Sequence, residues 1–151
     1  MNIKKIYREF DGVLTSCPGK DCKFSQCEKA SKQGVEIFPD EVNFLIKKFP
    51  KKTLNIIPKK NSFTGFIMKN CSKNKECLLK EFRPIFCRTF PVKPYFLDRK
   101  HFKISTFEKC PAANSLPSDF YAKAMKTWAV AMKKWNRNPI KKIIASFNLR
   151  H

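Results

Sequence analysis

Seven cysteines stand beside only two histidines in this 151-residue chain, and they are the side chains whose type and spacing could do chemistry. Six fall in two groups: Cys17, Cys22 and Cys27 in CPGKDCKFSQC, and Cys71, Cys77 and Cys87 in CSKNKECLLKEFRPIFCRTFP. The seventh, Cys110, precedes Pro111. Scattered single cysteines are commonly small core hydrophobes, but grouping favours a shared task. If the two groups converge, they close a metal site between the halves of the chain. With His101 and His151 as the only imidazoles, such a site is almost all sulfur, and soft ligands of that kind select zinc or an iron–sulfur cluster. Neither metal follows from spacing alone: the four-residue gaps of the first group are at the edge of zinc-knuckle spacing, and the gaps of five and nine residues in the second match no common ferredoxin run.

Four thiolates around zinc, or around an oxidised four-iron cluster, leave about two net negative charges. Arg83 and Arg88 are placed to answer that charge by hydrogen-bonding to sulfur. The competing reading puts both on a solvated basic surface. That surface is extensive: 32 Lys+Arg against 12 Asp+Glu give a formal charge of +20. Most of it is lysine, in a chain also rich in Asn, Ile and Phe, as compositional bias alone would produce. A basic surface favours polyanions, yet there is no arginine-rich helix, no strand of the RNA-recognition type and no two-Cys/two-His finger.

The elements that must position the cysteines are mostly short. Ser25 to Lys32 reads as a helical turn or two closed by Gly34, which puts Cys27 near a helix N-terminus, where dipoles favour a thiolate. In VEIFPDEVNFLIKKFP, Pro39 suits the first helical position and Asp40 and Glu41 complement the positive helix end. Val42, Leu45, Ile46 and Phe49 repeat at helical spacing, and Pro50 ends the run. Thr53 to Ile57 and Phe63 to Met68 read as strands, Val92 to Phe107 as mixed loop and strand, and AANSLP as a connector.

From Ser118, a candidate N-cap, the pattern becomes that of an amphipathic helix. Phe120, Tyr121, Ala124, Met125, Trp128, Ala131, Met132 and Trp135 share one arc, opposite Lys123, Lys126, Lys133 and Lys134. Asn138-Pro139 stops it, and a shorter helix carries Ile140, Ile143, Ile144 and Phe147. A stripe at this spacing faces a core rather than a membrane or cofactor.

The segment CLLKEFRPIFCRTFP resembles the Cys…Arg-Pro-x-x-Cys-Arg-x-Phe-Pro hallmark of the CxxCxxCC, or YkgJ-type, cysteine-cluster family of zinc- or iron-chelating proteins. VEIFPDEVNFLIKKF is similar to that family's I-x-L-T-x-E-E helix, and the resemblance covers roughly Cys17 to Cys110. The family's compact Cys-x-x-Cys-Gly-x-Cys-Cys is stretched here into Cys17, Cys22 and Cys27, with one cysteine fewer and no adjacent pair. Some relatives carry the module within flagellin lysine-N-methylases, where the resemblance implies an iron–sulfur cluster used in methyl transfer from S-adenosylmethionine.

The expected architecture is therefore one domain over 1–151, of the α+β class and mainly helical. An irregular cysteine-rich module over 17–110 binds metal, and a C-terminal helical segment over 118–151 packs on it. The expected ligands are drawn from Cys17, Cys22, Cys27, Cys71, Cys77, Cys87 and Cys110, with Arg83 and Arg88 beside them. The expected cofactor is an iron–sulfur cluster of the 4Fe-4S kind, with zinc as the alternative. A lysine-N-methyltransferase-like enzyme is a further alternative, although the chain has no Gly-rich loop after a strand and no nucleophile elbow. So is a basic module whose structural metal supports a lysine surface that contacts nucleic acid or an acidic protein. With no apolar run suited to a signal peptide or a membrane span, the expected location is the cytoplasm.

Overall fold

The computed structural model describes residues 2–10, 26–49, 54–59, 64–73, 76–97 and 101–135, excluding the side chains of 26–28, 76, 96 and 135. Helices and strands are mixed in an α+β arrangement. Cys17, Cys22, the Pro18-Gly19 turn, Pro50, the Asn138-Pro139 stop and the expected last helix lie outside the described residues.

The chain begins with α1 (Ile3–Glu9), an element the sequence reading left unassigned; the Asn2 side chain caps it by accepting the Lys5 N–H at 3.1 Å. Helix α2 (Gln26–Gln33) ends as expected at Gly34, whose φ of +105° is a conformation that favours glycine and whose N–H donates to the Ala30 carbonyl at 2.7 Å. Strand β1 (Val35–Ile37) leads into α3 (Pro39–Lys48), which opens with Pro39 at its first turn and carries Asp40 and Glu41 there. Strands β2 (Asn55–Pro58) and β3 (Phe66–Lys69) complete an antiparallel sheet in the order β1-β3-β2, with Val35 opposite Met68 and Ile57 opposite Ile67.

A second pairing, β4 (Ser72–Lys73) with β5 (Glu76–Cys77), is two residues long on each side. A 3-10 turn (Lys80–Phe82) and the one-turn helix α4 (Ile85–Arg88) follow. Residues 92–106 resolve into a hairpin of β6 (Val92–Phe96) and β7 (Phe102–Thr106), and the expected connector after Cys110 is a 3-10 turn (Pro111–Ser115).

Helix α5 (Phe120–Trp135) starts later than its expected cap: the Lys123 N–H donates to the Asp119 carbonyl, so Asp119 rather than Ser118 stands at the boundary. Its buried stripe is narrower than the expected arc. Phe120, Ala124, Trp128, Ala131 and Met132 are inside, whereas Tyr121 and Met125 are exposed, because the surface beneath the helix covers only the central row. Trp128 meets Phe86 edge-on at 4.6 Å and Phe38 at 5.8 Å. No helix among the described residues is long and apolar enough to cross a membrane.

Two buried clusters result. One joins α1, Ile85, Val92 and the α5 stripe. The other joins the three-stranded sheet, α3, Cys71 and Leu79, with Cys77 and Cys87 packed against it. Phe44 and Phe86 touch both.

Candidate functional site

The shortest sheet positions the first pair of thiols. Cys71 immediately precedes β4 and Cys77 ends β5; Ser72 pairs with Cys77 across the ladder, and the Leu78 N–H donates to the Cys71 carbonyl at 2.9 Å. Burial pushes the Cys71 thiol up from its ordinary value, a hydrogen bond with the Ser31 hydroxyl pulls it down, and Cys77 pushes it up again.

Ser31 belongs to α2 and fastens that helix to the hairpin. Its carbonyl accepts the Asn70 N–H at 3.0 Å and its Oγ accepts the Ser72 N–H at 3.0 Å. Helix α2 contacts β3, β4 and β5. Position 27 lies one helical turn before Ser31, so the element that carries Cys27 is packed on the hairpin that carries Cys71 and Cys77.

Cys87, on α4, is half-buried against the same cluster as Cys77 and near enough to Tyr7 to raise the pKa of its hydroxyl. Cys110 is buried at the start of the 3-10 turn after β7, its N–H donating to the Phe107 carbonyl at 2.9 Å. All four of these cysteines are thiols rather than disulfide halves. Among the described residues, no three His, Cys, Asp or Glu side chains form a group that could hold a metal ion.

Both arginines donate to main-chain carbonyls. Arg88 is buried, and its donors go to main-chain carbonyls: Nε to Arg83 at 2.8 Å, Nη1 to Tyr7 at 2.8 Å, and Nη2 to Glu81. Its guanidinium lies over the Tyr7 ring, 4.0 Å from the centroid. Arg83 Nε donates to the Lys80 carbonyl at 3.0 Å. A planar fork saturates several carbonyls at once, which is how Arg88 ties α1, the 3-10 turn and α4 into one unit.

The residue that sequence reasoning undervalued is Glu41. Its place in the first turn of α3 makes it a helix-end complement, and it accepts the Phe38 N–H at 2.9 Å. It is also fully buried, and its other oxygen accepts from the Ile85 N–H at 2.7 Å and the Tyr7 hydroxyl at 3.1 Å. Burial pushes its carboxyl up to about 7, opposed by the Phe38 and Ile85 N–H groups, by Tyr7 and by Arg88. Tyr7 is pushed far above its usual range by burial, then by Glu41. The available signal was position: Glu41 precedes Leu45 by four residues and so shares its apolar face.

Compared with protein-family models, curated proteins and solved structures, the chain matches none.

Proposed function

We propose that this chain is a thiolate metal-binding protein, with Cys71 and Cys77 as the central ligand pair and Cys27, on the helix packed against their hairpin, as a further ligand. The remaining positions are supplied from Cys17, Cys22, Cys87 and Cys110. The observation that carries this reading is the hairpin that pairs the segments of Cys71 and Cys77, with the cysteine-bearing helix packed on it.

The donor chemistry fits. The pair is sulfur in a setting with a hydroxyl donor, Ser31, bonded to one of the two, and a donor aimed at sulfur stabilises the thiolate that a metal requires. A two-residue ladder is too short to be stable alone, so a metal bridging hairpin and helix would contribute to folding. The ligand chemistry admits an iron–sulfur cluster or zinc. The likeness of residues 77–91 to the cysteine-cluster family favours the former, and we read the chain as a diverged relative of that family.

The test is anaerobic purification from iron- and zinc-replete cells, with visible absorption and quantification of iron, sulfide and zinc. A broad cluster absorption with matching iron and sulfide is expected, and it should fall sharply in a Cys71→Ser/Cys77→Ser double variant. Stoichiometric zinc without colour would keep the metal site and discard the cluster. A folded, colourless, metal-free wild type would overturn the proposal, as would unchanged metal content in the double variant.

A further inference from the structure

Strand alternation divides the β6–β7 hairpin into two unlike faces. Val92 and Pro94 turn inward, with Ile104 and Phe102 packed against the α1–α5 cluster. The outer face carries Lys93, Tyr95 and Leu97 on one strand, with Lys103 directly opposite Tyr95 and Ser105 opposite Lys93. Tyr95 is 62% exposed and Leu97, just past the end of β6, 54%. Lys103 is exposed opposite Tyr95, and Lys93, two residues before Tyr95 on the same face, is exposed with its Nζ 5.8 Å from the Phe107 ring centroid, in a chain of net charge +20.

We propose that this outer face binds single-stranded nucleic acid, with an unpaired base stacked on Tyr95 and the flanking phosphates neutralised by Lys93 and Lys103. The argument is one of complementarity. An exposed ring that shares a sheet face with two lysines offers both a π surface and positive charge, the two features that non-specific single-strand binding uses. Alternate residues on a strand are about 6.6 Å apart, so Leu97 offers an apolar surface beside Tyr95 for a neighbouring base. Duplex bases are already stacked on one another and leave the ring without a partner. An acidic peptide would meet the lysines but make no use of the ring.

The full-length protein is titrated into fluorescently labelled oligo-dT and oligo-U, followed by anisotropy across a salt series, with a duplex of equal length and polyglutamate as competitors. Tyr95→Ala is expected to weaken single-strand binding by at least about fivefold at every salt concentration while leaving the salt slope unchanged, whereas Tyr95→Phe binds as wild type. Lys93→Ala with Lys103→Ala lowers the slope by about 0.7 per lysine, and the exposed α1 pair Lys4→Ala with Lys5→Ala does not. Three results would each overturn the proposal: Tyr95→Ala binding as wild type, a slope equally sensitive to the α1 pair, or duplex or polyglutamate competing as well as the single strand. Far-UV circular dichroism confirms that each variant is folded.

Discussion

The Oε1 atom of Glu41 accepts a hydrogen bond from the main-chain N–H of Ile85 at 2.7 Å, across 44 residues of chain. The same carboxyl accepts from Phe38 at the start of α3, so one buried side chain satisfies the first turns of two helices. It also joins the two segments that carry the cysteine-cluster resemblance, the PDEV helix start and the RPIFCR stretch. With Arg88 gripping α1 and the 3-10 turn from the other side, the position of Cys87 is set by a polar knot rather than by apolar packing alone.

Stability should depend on pH through Glu41. Its ordinary value is 4.5 and burial raises it to about 7, so the native state holds the proton more tightly than the unfolded chain. The resulting stabilisation is fully present below about pH 4.5 and is lost as pH rises through 7. Between pH 5 and 8, wild type should lose about 2–3 kcal/mol relative to Glu41→Gln in urea unfolding. A flat difference, or one of opposite sign, would refute the assignment.

Arg88→Lys should be costly although it keeps the charge. A lysine cannot reach the carbonyls of Tyr7, Arg83 and Glu81 together, and each buried acceptor left open is expensive. A loss of at least about 2 kcal/mol is expected in protein stripped by chelator. If the loss is seen only in metal-loaded protein, the arginine serves the sulfurs after all.

Gly34→Ala tests the junction of α2 with the sheet. The φ of +105° is strained for alanine, and an added Cβ would lie 3.1 Å from Ile67 Cδ1 and 3.3 Å from Ile67 Cβ. Thermal or urea unfolding should report a loss of about 1–3 kcal/mol. An unchanged midpoint would show that this junction yields freely.

Local signals were legible where local chemistry decides. Gly34 ended α2 and Pro39 began α3 as expected, because a positive φ and a fixed proline φ act within a residue or two. Of the expected strand Thr53 to Ile57, Thr53 lies outside the described residues and the pairing with β3 carries the strand one residue further, to Pro58, because its limit is set by that partner rather than by its own residues. The α5 periodicity located the helix, but its wide apolar arc did not show that Tyr121 and Met125 would stay outside.

The sequence by itself determined the candidate ligands, the surplus of positive charge, and the principal helices, since residue type, charge and periodicity are properties of the chain. Only the tertiary structure decided that the segments carrying Cys71 and Cys77 pair beside α2, that Glu41 is a buried link rather than a surface cap, and that Arg88 donates to the carbonyls of Tyr7, Arg83 and Glu81. Those outcomes depend on which distant segments meet: a carboxylate or guanidinium removed from water takes whatever partners the packing supplies, and local spacing carries no record of them.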